Sequence, residues 1–122
     1  MTKKTAILGA TTNPNRYAFL AAERLTAKNY EIVPIGIKKG EVFGVEILNL
    51  RDKPVVEGIH TVTMYIGPKN QAEWEDYIIS LNPKRIIFNP GAENSQLANR
   101  AREKGIETLN ACTLVMLSNQ LY

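Results

Sequence analysis

Residues 4–19, KTAILGATTNPNRYAF, decide how the rest of the chain is read. The apolar run Thr5–Leu8 has the composition of a buried strand, and Gly9 ends it. A small polar loop occupies residues 10–15, and a helical pattern begins at Arg16 or Tyr17. A strand, a glycine turn and a helix N-terminus together make an anion site. The helix presents unpaired backbone N–H groups and the positive end of its dipole. The expected ligand is therefore a phosphate-bearing nucleotide.

Outward from that stretch, strands and helices alternate. A helix is expected over residues 17–28, with Asn29 ending it, and a strand over residues 31–37 in which Pro34 marks an end or an edge. Residues 38–44 read as a turn-rich loop, and residues 45–50 as a short strand because Ile47 and Leu48 need burial. The run TVTMYI at 61–66 is β-branched and aromatic. A helix follows from Asn70 or Gln71 to Leu81, stopped by Asn82–Pro83. RIIF at 85–88 is a strand, Asn94 or Ser95 starts a helix to Lys104, and Gly105 stops it. Residues 106–109 form the last strand, and the apolar tail up to Tyr122 contains a short helix. Such alternation implies βαβ units and an α/β, Rossmann-like, three-layer fold with five or six mainly parallel strands. Residues 1–122 are expected to form a single domain.

Composition narrows the function. The chain is 44% hydrophobic and 22% charged, as ordinary globular domains are. No apolar run reaches the ~18 residues of a membrane span. The one cysteine, Cys112, allows no internal disulfide and fits a reducing compartment, so a cytoplasmic protein is expected. The net charge of +3 suits an anionic ligand. Basic residues are scattered rather than arrayed beside aromatic strands, which argues against nucleic acid.

In an open α/β sheet the ligand lies at the carboxyl ends of the strands. The first loop there has only Gly9, so it lacks the G-x-G-x-x-G of dinucleotide enzymes. Thr11, Thr12 and Asn13 offer hydroxyl and amide groups to a phosphate, or cap the helix, and Arg16 stands at its start. The second strand ends without the Asp or Glu that holds an NAD ribose, and Lys38 and Lys39 follow instead. Two lysines attract a phosphate on the ribose, as found on CoA and on NADP.

In these segments the chain resembles the small single-domain CoA-binding proteins, which are related to the CoA-binding domain of succinyl-CoA synthetase. The likeness runs through ILGATTNPNRYAF, NYEIVPIGIKKGEVFGVEI, TMYIGP, LNPKRIIFNPGAEN, AREKGIETLN and Cys112. It departs at Gly36–Ile37, where members usually have Asn–Pro, and at Thr113, where Pro often follows the cysteine. The resemblance implies that Gly9, Thr11, Thr12 and Arg16 wrap a pyrophosphate. It implies that Lys38, with Lys39 as a near substitute, approaches the phosphorylated ribose. Ile66 and Pro68 would lie against the adenine or the pantetheine arm, Gly91, Glu93 and Asn94 would border the pantetheine path, and Cys112 would line the same edge.

No catalytic constellation is visible. His60, the only histidine, precedes the strand at 61–66 and so falls at the amino end of the sheet. No Cys/His cluster has metal spacing, and Cys112 has no second histidine to activate it. Glu93 is the one acid at the ligand edge, where it caps a helix or serves as a base. The expectation is a non-catalytic module binding CoA or acyl-CoA. The alternatives are an NADP-type nucleotide binder and a degenerate Rossmann module working as a homodimer through its apolar C-terminal segment.

Overall fold

The computed structural model describes residues 3–122; Met1 and Thr2 lie outside the described residues. Six strands form one sheet: β1 (Thr5–Leu8), β2 (Ile32–Gly36), β5 (Leu48–Asn49), β6 (Thr61–Met64), β7 (Arg85–Phe88) and β8 (Glu107–Asn110). Their order is β5-β2-β1-β6-β7-β8, and every neighbouring pair is parallel. The chain thus starts in the middle of the sheet, builds outward to one edge, returns to the middle at β6 and builds to the other. This is a Rossmann-like α/β fold, and β1 and β6 flank its topological switch point.

Both faces of the sheet are covered. On one face lie α1 (Tyr17–Ala27) and α4 (Thr113–Ser118), whose Ala18, Ala22, Leu25 and Leu117 pack with Ile7, Ile32 and Ile87. On the other lie α2 (Glu75–Ser80), α3 (Ser95–Glu103) and the loop after β5, whose Ile78, Leu97, Ala101, Leu50 and Ile59 pack with Ala6, Leu8, Val62, Ile86 and Phe88. Strands with two covered faces carry apolar residues toward both, as Ala6–Ile7–Leu8 and Ile86–Ile87–Phe88 do, and the buried Thr5, Thr61, Thr63 and Arg85 each make a side-chain hydrogen bond.

Helices α1 and α3 end alike. Asn29 (φ 66°) and Gly105 (φ 80°) take the left-handed conformation, and the next residues, Tyr30 and Ile106, donate back to Leu25 and Ala101. Pro34, in contrast, sits inside β2 rather than at its end. The N–H groups of Thr5 and Gly9 donate to the carbonyls of Glu31 and Ile35, so odd positions of β2 face β1. Pro34 faces β5, which pairs only with Ile35 and Gly36, so its missing N–H is not needed.

Two further sequence expectations are corrected. Residues 45–50 are not one strand: β3 (Glu41–Val42) and β4 (Val45–Glu46) form an antiparallel hairpin, and only β5 joins the sheet. Phe43 (φ 51°) and Gly44 (φ 83°) make its two-residue turn, both left-handed. An aromatic residue there disguises the turn, and the Phe43 ring instead packs 5.1 Å from that of Phe19 on α1. Nor is there a continuous helix from residue 70 to 81. Two 3-10 turns, Pro68–Asn70 and Ala72–Trp74, precede a short α2. The tail does form a helix, and its Leu117 and Tyr122 are buried within the chain, while Val115 and Leu121 stay exposed.

Candidate functional site

A cleft of about 1040 Å³ opens at the carboxyl ends of β1, β2, β5, β6 and β7. Its floor is the β1–α1 turn. Gly9 (φ 96°) is in a conformation that side chains avoid, and a Cβ there would lie 3.1 Å from the backbone of Tyr65. The N–H groups of Gly9 and Ala10 both donate to the Ile35 carbonyl, at 2.9 and 3.1 Å. That draws β1 and β2 so close that a Cβ on Gly36 would sit 2.5 Å from the Ala10 carbonyl oxygen. Gly36, a departure from the family pattern by sequence, is thus required by this chain's own backbone.

The loop above the floor is largely self-organised. Thr11 Oγ1 accepts from the Asn13 N–H at 3.1 Å, and Asn13 Oδ1 accepts from the Asn15 N–H at 3.0 Å. These turns occupy the acceptors and leave the Thr11 hydroxyl hydrogen and the Asn13 amide as donors. Thr11 and Asn13 border the cleft; Thr12 does not, and a Cβ on Gly40 would meet its methyl at 2.6 Å, so it packs against the hairpin stem. No side chain caps α1: Arg16 occupies the cap position, and the first helical residues, Tyr17 and Ala18, border the cleft. Uncapped N–H groups and a helix dipole meet there.

Among the described residues three cations, Arg16, Lys38 and Arg51, border the same space, and Glu73 is the only acid that does. Among the described residues the ion pairs involve only Lys4 and Arg100 as cations, so none of the three cleft cations is neutralised. Lys39, next to Lys38, does not reach the lining. Arg51 was not singled out by sequence. It rides on the 3-10 turn Leu50–Asp52, held by Asn49 Oδ1 accepting from the Arg51 N–H at 2.9 Å and by burial of Leu50. The detectable signal was the Asn two residues before it, an Asx turn that fixes backbone direction.

The opposite lip comes from the loops after β6 and β7. Ile66, Gly67, Asn70 and Trp74 line it from one side, and Pro90, Gly91 and Ala92 from the other. Pro68, Glu93, Asn94 and Cys112 do not border the cleft. Glu93 Oε1 accepts from the Gly91 N–H at 2.8 Å, and Asn94 caps α3 by accepting from the Leu97 N–H at 3.1 Å. Both shape the lip from behind. Cys112 precedes α4 and is half-buried. Beside it Thr113, the second family departure, is fully buried: its N–H donates to Asn89 Oδ1 and its hydroxyl pairs with Thr63, each at 2.8 Å. Asn89 in turn donates to Thr63 and to the Met64 carbonyl. Proline could not supply that N–H.

Among the described residues no hydrogen bond joins two side chains of the lining into a nucleophile–base pair. Tyr65 borders the cleft, but its hydroxyl is buried near Thr63 and Thr113, and burial pushes its pKa up to about 12. His60 lies at the far end of the sheet, with Nδ1 2.7 Å from the Thr61 hydroxyl. Among the described residues no group of three or more His, Cys, Asp or Glu side chains is placed to hold a metal ion. No helix there is long and apolar enough to cross a membrane.

The sequence profile of a family described as a CoA binding domain matches residues 3–118. The chain belongs to that family. Among solved structures, a protein described as uncharacterized superposes with a TM-score of 0.96 at 55% identity, covering 100% of this chain and 99% of its own. A hypothetical protein from Pyrococcus horikoshii OT3 follows at 0.83 and 26%, covering 98% and 84%. A Thermus thermophilus protein, at 0.83 and 22% with 99% and 91% covered, shares the fold. No curated protein matches the chain.

Proposed function

We propose that the cleft binds CoA or an acyl-CoA and that the protein is a non-catalytic carrier or sensor of that ligand. The observation that carries this reading is the convergence of Arg16, Lys38 and Arg51 on one open cleft, none of them in an ion pair among the described residues. CoA has a pyrophosphate and a 3′-phosphate, so it has anionic groups for all three. The volume also suits it, since drug-sized ligands occupy roughly 300–1,000 Å³. Arg16, the Thr11 hydroxyl and the free N–H groups of α1 would hold the pyrophosphate, with Lys38 and Arg51 on the ribose phosphate. Ile66, Gly91 and Ala92 would flank the pantetheine arm. Chemistry on the thioester would need an activated nucleophile, and Glu73, the acid in the lining, is hydrogen-bonded to none among the described residues. A cytoplasmic setting agrees with the single unpaired Cys112.

A thermal-shift panel of CoA, acetyl-CoA, dephospho-CoA, NADP and NAD tests the reading. CoA and acetyl-CoA should stabilise most, dephospho-CoA clearly less, and NAD least. A larger shift with NADP than with CoA would turn the reading to a dinucleotide; no shift with any ligand would turn it to an interaction module.

A further inference from the structure

Resting on the CoA reading of the cleft, we infer that Gln71 is a positioning residue that sets the spacing of the pantetheine lip without touching the ligand. Its side chain is fully buried in a segment where every neighbour from Gly67 to Glu73 is exposed. The two hydrogens of its amide nitrogen go to two different loops: to the Ile66 carbonyl at 2.7 Å and to the Ala92 carbonyl at 2.8 Å. Ile66 and Ala92 both border the cleft, one after β6 and one after β7. Among the described residues no backbone hydrogen bond joins these loops beyond the strand ladder, which stops at Met64 and Phe88. The Gln71 amide nitrogen therefore bridges the Ile66 and Ala92 carbonyls, and its width fixes how far apart they stand.

The amide is itself held. Its Oε1 accepts from Asn94 Nδ2 at 2.9 Å, so three of its four hydrogen-bonding positions are filled and its orientation is determined. Asn94 also donates to the buried Glu75 at 3.2 Å, and Glu75 accepts from Arg100 at 3.2 Å. The lip is thereby tied to α2 and α3. It also explains why the 3-10 turns replace a continuous helix: Gln71 points inward to the carbonyls rather than outward from a regular first turn. The cationic lip contains no such buried bridge; its residues are exposed side chains on independently pinned turns.

An effect confined to one lip is what separates positioning from general structural support. Affinities of CoA and of adenosine 3′,5′-bisphosphate, the nucleotide half without the pantetheine, are compared by calorimetry for the wild type and Gln71→Met. Methionine keeps the volume and removes both donors, leaving two carbonyls unpaired. CoA affinity should fall roughly tenfold or more while bisphosphate affinity stays within about twofold. Asn94→Ser keeps the α3 cap but removes the donor that orients Gln71, and should weaken CoA alone by about threefold. This milder variant decides the matter if Gln71→Met does not fold. Equal losses for both ligands, or no loss for either, would overturn the positioning role while leaving CoA binding intact. A wild type that binds neither ligand would instead overturn the CoA reading, and this inference with it.

Discussion

The two lips of the cleft are built on opposite principles. The lip around β1, β2 and β5 places exposed, unpaired charges on short turns, each pinned by its own backbone: Arg16 after an Asx-type loop, Lys38 after the Gly36 crossing, Arg51 on a capped 3-10 turn. The lip around β6 and β7 carries no cation in the lining and depends on buried amides, Gln71 and Asn89, that each join neighbouring segments. Charges act at a distance and tolerate approximate placement. Neutral hydrogen bonds require contact within a few tenths of an ångström. A polyphosphate end suits the first construction and an uncharged, extended arm suits the second.

Breaking the floor shared by both lips should have the largest consequence. In Gly36→Ala the new Cβ meets a backbone oxygen that cannot swing away, so β1 and β2 must separate. The variant should lose about 1–3 kcal/mol of stability, read from urea denaturation midpoints, and lose binding of CoA and of the bisphosphate together. The next largest effect divides the charges. Arg16→Ala should weaken both ligands about tenfold or more with folding stability nearly unchanged, because a charge-assisted contact is lost from an exposed position. Arg51→Ala should cost less and should narrow the preference for CoA over dephospho-CoA. Both losses should shrink at high ionic strength in titrations, whereas the loss in Gln71→Met should not.

The smallest effect lies outside both lips. His60 sits at the amino end of the sheet, where burial, then Arg85, Lys3 and Lys84, hold its pKa below the ordinary 6.5. Unfolding thus takes up a proton below that value, so the stability contribution of neutral His60 is present above pH 6.5 and is lost as pH falls through the depressed folded value. His60→Gln should flatten this part of the melting profile between pH about 7.5 and about 5.5 and leave CoA affinity unaltered. A change in affinity would mean that the two ends of the sheet are coupled.

Legibility in the sequence followed the same division. The β1–α1 turn and the places of Arg16 and Lys38 at strand ends were readable because they depend on local features: a glycine turn, a strand end and charge type; that no side chain caps α1 was not, since Thr11, Thr12 and Asn13 are all capable of capping. The inward apolar residues of TAIL and RIIF announced a doubly covered sheet. Arg51 was missed because β5 is only two residues long and its turn has no strong apolar periodicity. Glu93 and Asn94 were read as bordering the ligand, yet neither borders the cleft, and one oxygen of each accepts from a backbone N–H, of Gly91 and of Leu97. The segment from 70 to 81 read as a helix because Trp74, Tyr77, Ile78 and Leu81 keep helical spacing; that spacing is silent about a buried amide captured by two distant carbonyls.

The order of apolar runs and glycine stops determined by itself that the chain makes parallel strands with crossover helices, and that a glycine turn and a helix start meet at the carboxyl end of β1. Those outcomes rest on backbone conformation and on burial along single segments, which local sequence encodes. Only the tertiary structure decided that Gly36 is demanded by the Ala10 carbonyl, that Thr113 must supply an N–H to Asn89, and that Gln71 bridges Ile66 and Ala92. Each of these depends on the distance between residues far apart in sequence. Such a distance exists only once the sheet has brought their strands side by side.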